Sequence, residues 1–405
     1  MSILWGIAGI IVLLGIAILL SSNRKAINPR TVLSALLLQL LFAFIVLKWD
    51  WGKHTLKFIA SGVQKVLDSA NAGSQFLFGG ILEVKGIGFI FAFQVLPVII
   101  FFASLVSILY YFGVMQWIIS MVGGFISKVL RTSKTESMSV AGSIFLGQNE
   151  APLLVRPYIA GMTQSELFAI MTGGLACVAG SNLAAYAAFG VPLTYLLAAS
   201  VMGAPAGLLM AKLIMPETEK REANNQIELT TEHESKNVLD AAAHGAMEGL
   251  RLALGVGAML IAFISLISLI NLVLHGVGSV FSYTQLSLEG ILGILFAPVA
   301  FIMGIPWEEA VQVGTFLGQK FVVNEMVAYS SFGPHIAALS DKTVAIISFA
   351  LCGFANFGSI AIWIGMIEGL APKRRSDVAR FGVKAVLAAT LANLLNGIVA
   401  GIFIL

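Results

Sequence analysis

Long apolar runs separated by short polar segments extend along most of the chain. A bilayer core about 30 Å thick needs roughly 20 apolar residues for one helical crossing. Eight runs have about this length, and we predict a membrane-spanning helix for each of them, at 3–20, 32–47, 87–111, 167–189, 192–214, 250–274, 343–367 and 378–405. The pattern therefore predicts an all-α polytopic membrane protein.

The composition supports this prediction and excludes several classes of protein. Of the 405 residues, 58% are apolar and 11% are charged, against about 45–50% and about 25% in an average soluble domain. A soluble globular enzyme, a disordered chain and a nucleic-acid-binding protein are therefore excluded. The net charge of +3 indicates no anionic partner, and the two cysteines lie in apolar runs. We expect neither a disulfide framework nor a Cys-based metal site nor a cofactor.

The basic residues predict an orientation in the membrane. Arg24, Lys25 and Arg30 follow the first apolar run rather than precede it, which is not the order of a signal peptide. The positive-inside rule places their loop in the cytoplasm and the N-terminus outside. The stretch 48–85 contains five lysines on the predicted outer side, and we expect its amphipathic part, 54–67, to lie along the membrane interface.

The segment 216–240 differs in composition from the rest of the chain. It contains ten of the 45 charged residues (24 basic and 21 acidic) and almost no large apolar ones. This composition is typical of a solvated loop. We predict a flexible cytoplasmic connector that divides the chain near its middle.

Two further segments, 137–158 and 307–335, are apolar but interrupted by polar residues, glycine and proline. Polar or irregular backbone at membrane depth requires a covering of protein or a water-filled cavity. We therefore predict two re-entrant hairpins, each of which enters and leaves on one side of the membrane.

The two hairpins belong to an internal repeat. Each contains FLGQ, at 145–148 and 316–319, and then an Asn and a Glu. A broken helix with a Cys and then an Asn follows each hairpin, with Cys177 and Asn182 in the first unit and Cys352 and Asn356 in the second. An odd number of predicted crossings separates the units, so they enter from opposite faces. Secondary transporters have this inverted arrangement, with the substrate at the midplane.

Glu150 and Glu325, near the hairpin tips, are the strongest functional candidates. A carboxylate at the bilayer centre costs roughly 2.5–3.5 kcal/mol, so it requires a partner or a cavity. Each could cap backbone amides at its tip or accept hydrogen bonds from a substrate, and one carboxylate has room for both. Lys320 follows the second FLGQ, and we expect it to neutralise a hairpin carboxylate.

Uncharged polar side chains accompany the two glutamates. Any one of them alone could be a helix–helix hydrogen bond. Together, at repeat-related positions, they indicate a ligand site formed by Gln148, Asn149, Asn182, Asn356 and Ser359. Amides and carboxylates suit a neutral ligand rich in N–H and O–H donors, rather than a dicarboxylate or a phosphate. Phe354 could stack on a ring of the ligand or simply pack.

Three segments resemble the bacterial, NupC-like concentrative nucleoside transporters. They are GQNEAPLLVRPYIAGMTQSELFAIMTGGLACVAGSNLAAYA at 147–187, VVNEMVAYSSF at 322–332 and GFANFGSIAI at 353–362. The resemblance covers most of the chain from about Gly86 onward. It implies eight transmembrane helices, two re-entrant hairpins in an inverted repeat, and a homotrimer in the lipid bilayer of the inner or plasma membrane. It also implies an elevator motion of a transport domain past a scaffold.

We expect five regions in such an architecture. They are N-terminal helices, mainly scaffold, at 1–111; a first transport-domain repeat, with hairpin 1 and the following helices, at 112–215; the charged loop at 216–240; a long scaffold or oligomerisation helix and its connection at 241–290; and a second transport-domain repeat, with hairpin 2 and the last two helices, at 291–405.

The resemblance also implies a role for each candidate. The nucleobase would be contacted by Gln148, Asn149, Glu150 and Asn182. The ribose hydroxyls would be held by Glu325, Asn356 and Ser359, with Phe354 beside the ligand. Asn149 replaces a residue that is often Thr in the family, and Asn182 replaces a usually apolar one. The two added amides predict purine nucleosides such as inosine or guanosine.

The coupling ion is suggested by a departure from the family pattern. Sodium-coupled members have Asn seven residues before the first-hairpin Glu and Ser on the following helix, where this chain has Ser143 and Cys177. A neutral thiol is a poor ligand for a hard cation. The remaining candidates are Ser143 Oγ and the carbonyls of Leu146, Cys177 and Val178. We predict proton coupling, with Glu325 as the first candidate for the proton, and sodium coupling as the alternative.

Other function classes are weaker alternatives. An elevator carrier for another neutral polar metabolite, such as a nucleobase, would differ in its dependence on the ribose. A membrane-embedded enzyme would need a Ser/His dyad within a span, an H-E-x-x-H motif or a metal cluster, and the sequence has none of these. A passive channel would not accumulate substrate against a gradient.

Overall fold

The computed structural model describes residues 2–82, 90–219, 235–280 and 286–404. Every regular element in these ranges is helical, which confirms the all-α class. Most of the charged loop (220–234), the end of the stretch 48–85 (83–85), part of the connection in 241–290 (281–285) and residue 405 lie outside the described residues.

Eighteen α-helices are described. The N-terminal part contains α1 (Ser2–Leu19), α2 (Pro29–Ala43), α3 (Asp50–Leu82), α4 (Phe91–Gln94), α5 (Leu96–Tyr111) and α6 (Val114–Leu130). The middle contains α7 (Lys134–Gly142), α8 (Arg156–Ile159), α9 (Gln164–Ala176), α10 (Gly180–Ala188), α11 (Leu193–Ile214) and α12 (Val238–Val280). The last part contains α13 (Leu288–Ile302), α14 (Trp307–Val322), α15 (Glu325–Phe332), α16 (Asp341–Leu351), α17 (Gly358–Leu370) and α18 (Arg375–Phe403).

The number of spans by length and hydropathy is lower than predicted. Within the described ranges, six helical stretches are long and apolar enough to cross a membrane, or seven if the bent pair of α13 and α14 counts as one. The predicted span 343–367 is divided into α16 and α17, and α1 is slightly too short. The helix predicted at 250–274 is longer, since α12 has 43 residues. The count of eight is therefore not confirmed.

Both segments predicted as hairpins contain interrupted helices. The first consists of α7, a stretch of turns and a 3-10 helix (Ala151–Val155), and α8. The second consists of α14 and α15, joined at Asn324, whose side chain accepts from Val327 N at 2.9 Å and so caps α15. An N-cap of this kind satisfies one of the amides that a helix start leaves free.

A helix that we did not predict precedes each hairpin. α6 leads into the first and α13 into the second. α6 lies within the region assigned to the first repeat, and α13 begins three residues before the region assigned to the second. α13 turns through 116° into α14, at Gly304 and Pro306. Gly304 has a φ of 90°, which a residue with a side chain rarely adopts.

The core of the molecule consists of helices from both repeats. α18 packs against α9, α11 and α16, and the apolar windows within α9–α10 and within α11 are both 89% buried. α1 and α2 pack on α11, and α1 also packs on α18. In addition, Gln39 of α2 donates to Asn396 Oδ1 of α18 at 2.7 Å. The N-terminal helices therefore lie against the repeats.

α5 and α12 form a separate, closely packed pair. A Cβ at Gly245 would lie 2.7 Å from the carbonyl oxygen of Ala103. Ser104 and Ser107 donate to carbonyl oxygens of α12 at 2.9 and 2.8 Å. Small residues and hydroxyls are the usual means by which helices approach closely in a membrane. The predicted interfacial segment 54–67 lies within the longer helix α3.

Candidate functional site

The two broken helices meet at their interruptions. α9 ends at Ala176 and α10 begins at Gly180, whereas α16 ends at Leu351 and α17 begins at Gly358. Within the breaks, Phe354 N donates to Cys177 O at 3.3 Å. Because the hydrogen bond joins the first repeat to the second, the unwound segments lie side by side inside the protein.

The hairpin tips lie at these breaks. Gly180 N donates to Phe145 O at 3.0 Å, which ties the first break to the tip of hairpin 1. Gln148 Nε2 donates to Ser359 Oγ at 3.1 Å, so the same tip also reaches α17 of the other repeat. The predicted convergence of both repeats at one place is thus present in the structure.

Glu325 lies at the centre of a polar cluster. Its carboxylate is 5% exposed and accepts from Tyr186 OH at 3.1 Å and from Asn356 Nδ2 at 3.4 Å. Asn182 Nδ2 donates to the same tyrosine oxygen at 3.4 Å. Three of the predicted site residues are thereby connected, through a tyrosine that we did not predict.

Tyr186 is the site residue that sequence analysis missed. Its ring is fully buried and stacks on Tyr329, with the ring centroids 4.4 Å apart. A tyrosine in an alanine-rich helix suggests packing, so it was not distinguished from the core. Its position four residues after Asn182 was the available signal, since residues four apart share one helix face.

Asn356 and Ser359 shape the start of α17. Asn356 Oδ1 accepts from Ser359 N at 2.9 Å, and Ser359 Oγ donates to Phe354 O at 2.8 Å. Phe354 itself is 9% exposed. These contacts fix the orientation of the Asn356 amide, whose nitrogen then reaches Glu325. The structure therefore brings together all the residues assigned to the ribose.

The residues assigned to the nucleobase are less tightly connected. Asn149 and Glu150 are exposed, and no hydrogen bond joins either to the Glu325 cluster in the described part of the chain. Glu150 Oε2 accepts from Gly147 N at 3.2 Å, so this carboxylate caps its own hairpin. That contact is the capping alternative considered above, and it leaves the second carboxylate oxygen for another donor.

Two buried acceptors at the site have no partner among the described residues. They are Gln148 Oε1 and Asn182 Oδ1, on side chains that are 6% and 5% exposed. A buried acceptor without a partner costs about 1–3 kcal/mol. A ligand with N–H or O–H donors would satisfy both.

The predicted ion ligands surround the first break. Ser143, Leu146, Cys177 and Val178 are all buried. Ser143 Oγ donates to Ser139 O at 3.1 Å, and Cys177 O accepts from Phe354 N as described above. Both oxygens keep a lone pair, but each already has a protein partner. These oxygens are therefore only partly available to bind a sodium ion. Within the described ranges, no group of three or more His, Cys, Asp or Glu residues lies together.

Lys320 interacts electrostatically with the carboxylate of Glu325, as predicted, but without a direct ion pair. Its ammonium donates instead to Ala350 O at 2.7 Å and to Asn393 Oδ1 at 2.6 Å. No ion pair joins it to Glu150 or Glu325 among the described residues. The carbonyl end of α16 adds a negative partial charge beside the ammonium.

The role of Tyr186 can be tested by Tyr186→Phe. The change removes only the hydroxyl, and we expect uptake of the substrate to fall about tenfold, since a hydrogen bond to a charged group contributes about 1.5–3 kcal/mol. Tyr329→Phe is the matched control, because that hydroxyl donates to Ser348 O at 2.8 Å and not to Glu325. Equal uptake by the Tyr186→Phe variant and the unchanged protein would contradict the role.

Models of one protein family match nearly the whole chain. The model described as "Na+ dependent nucleoside transporter C-terminus" matches residues 195–401, and the corresponding N-terminus model matches residues 8–81. A third model, "Gate: Nucleoside recognition", matches residues 92–193.

Full-length relatives give the same result. The chain is 53% identical over 405 residues to the uncharacterized transporter YutK of Bacillus subtilis, with all of both chains covered. It is 45% identical to the nucleoside permease NupC of Helicobacter pylori, covering 100% of this chain and 98% of NupC. It is 40% identical to sodium/nucleoside cotransporter 1 of Rattus norvegicus, covering 98% of this chain and 63% of the rat protein.

Solved structures of CNTnw match in two conformations. The inward-facing, substrate-bound state superposes with a TM-score of 0.95 at 51% identity, covering 100% of this chain and 98% of CNTnw. The outward-facing state of a doubly substituted CNTnw superposes with a TM-score of 0.97 at 52% identity, covering 100% and 99%. From end to end, the chain is thus a member of the concentrative nucleoside transporter family, a family of membrane transporters and not of enzymes.

Proposed function

We propose that this transporter is a proton-coupled symporter that imports purine nucleosides such as inosine and guanosine. The observation that supports this most is the cluster around Glu325. A buried carboxylate there has partners from both repeats, through Tyr186 and Asn356, and the unpartnered acceptors of Gln148 and Asn182 belong to the same region. The arrangement suits a neutral ligand with donors at both ends.

The ligand would lie between the two hairpin tips. We infer that Glu325, Asn356 and Ser359 hold the ribose hydroxyls, because a carboxylate accepts hydrogen bonds that hydroxyls donate. We infer further that the nucleobase lies against Phe354 and is contacted by Gln148, Asn149, Glu150 and Asn182. The free acceptors of Gln148 and Asn182 would receive N–H groups of a purine.

The proposed coupling ion follows from the first break. The thiol of Cys177 and the Ser143 hydroxyl, which already has a protein partner, would bind sodium only weakly. The alternative is that a proton gradient drives uptake and that Glu325 binds the proton. Neutralising that carboxylate would also lower the cost of moving the empty carrier through the membrane. Uptake that requires sodium and is insensitive to a protonophore would contradict proton coupling.

A sodium-coupled symporter is the second candidate. The matched family models are described as "Na+ dependent", and the rat relative is named a sodium/nucleoside cotransporter. The carbonyls of Leu146 and Val178 could bind the ion without help from a side-chain oxygen of residue 177. A sodium gradient alone would then drive uptake.

We propose the family architecture for the whole molecule. It comprises eight spans and two hairpins as an inverted repeat, an elevator motion, a homotrimer and a place in the inner or plasma membrane. The match to both inward- and outward-facing CNTnw supports two alternating conformations. The five regions predicted above remain our proposal.

Competition for binding tests the substrate assignment. Purified protein is incubated with radiolabelled inosine and an excess of guanosine, uridine or hypoxanthine. We expect guanosine to displace inosine about 30-fold more effectively than uridine, because two added amides can each contribute about 1 kcal/mol. Equal competition by uridine would contradict the purine preference, and equal competition by hypoxanthine would contradict the role of the ribose.

A further inference from the structure

Lys320 is a buried cation that the proposed function does not use. It is 3% exposed, and its Nζ donates to Ala350 O and to Asn393 Oδ1. Neither partner carries a full negative charge, and the carboxylate of Glu325 interacts with the ammonium electrostatically but not as a direct ion pair. A buried ammonium without a direct ion-pair partner is costly, so its position requires a physical reason.

One of the two acceptors lies at the broken end of a helix. Ala350 is in the last turn of α16, which ends at Leu351 inside the molecule. The last carbonyls of a helix carry partial negative charge and favour a cation. In transporters, such half-helix ends at membrane depth are places where coupling cations bind. The ammonium of Lys320 therefore occupies the type of position that a free cation could otherwise take.

The first repeat has no such lysine. Its FLGQ is followed directly by Asn149 and Glu150, whereas in the second repeat four residues, beginning with Lys320, separate FLGQ from Asn324 and Glu325. The buried cation therefore belongs to a segment that only the second repeat has.

One side chain connects both broken ends to this cation. Asn393 of α18 is fully buried, and its Nδ2 donates to Ala176 O at 2.7 Å and to Cys352 O at 3.1 Å. Its oxygen accepts from Lys320. A Cβ at Gly353 would lie 2.2 Å from that oxygen, so the backbone of the second break packs directly on this contact.

We propose that Lys320 is a tethered cation that takes the place of a free metal cation at the half-helix end of the second repeat. Its positive charge is then required for transport, and a metal cation can couple to transport only at the first repeat. The inference rests on the proposed ion-coupled transport of nucleosides, but the site itself can be tested without it.

Neutral substitutions separate charge from packing. Lys320→Met keeps the length of the side chain but leaves Ala350 O and Asn393 Oδ1 without this donor, which is destabilising. We expect the Lys320→Met protein to fold with a lowered melting temperature, and, per folded protein, to take up inosine at about one tenth of the unchanged rate or less. Lys342→Met, at the other end of α16, is the matched control and should transport normally.

Chemical rescue tests the cation site directly. Lys320→Ala leaves space for a small cation, so millimolar ethylammonium should raise both its melting temperature and its inosine uptake. The Lys320→Met protein, whose side chain fills the space, should respond to neither. Unchanged uptake by Lys320→Met, or an equal effect of ethylammonium on both variants, would overturn the proposal.

Two further outcomes are informative. If no variant of Lys320 folds, the number of sodium ions carried per inosine by the unchanged protein decides: none or one agrees with the proposal, and two contradict it. If the unchanged protein carries no inosine, the proposed function is wrong. The melting temperature of Lys320→Ala with ethylammonium then still tests the tethered cation.

Discussion

Replacing Glu325 with Gln should lower the initial rate of inosine uptake by about 10- to 100-fold. The carboxylate accepts from Tyr186 and Asn356, and we propose that it also accepts from the ribose. Each hydrogen bond to a charged group contributes about 1.5–3 kcal/mol, and about 1.4 kcal/mol corresponds to a factor of ten. The amide keeps the shape and one acceptor oxygen, so the protein should still reach the membrane. Proteoliposomes with radiolabelled inosine give the rate.

Glu308→Gln is the matched control for this loss. Glu308 lies at the exposed start of α14, on the same hairpin as Glu325, and its neutralisation should leave uptake unchanged. If Glu325 also carries the proton, the remaining uptake of the Glu325→Gln protein should no longer respond to a protonophore. A Glu325→Gln protein that transports inosine at the original rate would contradict both roles.

Restoring two side-chain oxygens at the first break should create a response to sodium. In the double variant Ser143→Asn with Cys177→Ser, an amide oxygen and a hydroxyl join the carbonyls of Leu146 and Val178. Oxygen ligands are those that a hard cation prefers. Coupling between two ligands is typically 5- to 150-fold, so we expect sodium to stimulate inosine uptake by about fivefold or more.

The cysteine at the second break provides the control for that gain. Cys352 is buried like Cys177, and its Sγ lies 3.9 Å from Leu196 O. Cys352→Ser makes the same chemical change but should bring no response to sodium. Sodium stimulation in the unchanged protein, or the same stimulation in Cys352→Ser, would show that the thiol of Cys177 does not exclude the ion.

The repeat was the part of the fold most accessible from sequence. FLGQ and the residues after it predicted both hairpins and both broken helices, because polar groups at membrane depth are tolerated only in such structures. The helices α6 and α13 were missed. α6 has polar residues and glycines among its apolar ones, and α13, with 15 residues, is too short for the expected length of a span.

The charged and amide residues of the candidate site could be predicted from the sequence, but the hydrogen bonds that join them could not. Polarity identifies Glu325 and Asn356, since a buried carboxylate requires partners. It cannot identify Tyr186, because an aromatic ring in a membrane helix usually packs. It also missed the direct hydrogen-bond partners of Lys320, because nothing in the sequence shows which helix end or buried amide will lie beside the ammonium.

The central claim is ion-driven transport of nucleosides through the site around Glu325. The most direct measurement is inosine accumulation in proteoliposomes under a proton gradient alone, a sodium gradient alone, or neither. Our account predicts accumulation above the external concentration with the proton gradient and none without a gradient. Accumulation with sodium alone would keep nucleoside transport but contradict proton coupling, and no accumulation under any gradient would contradict the account.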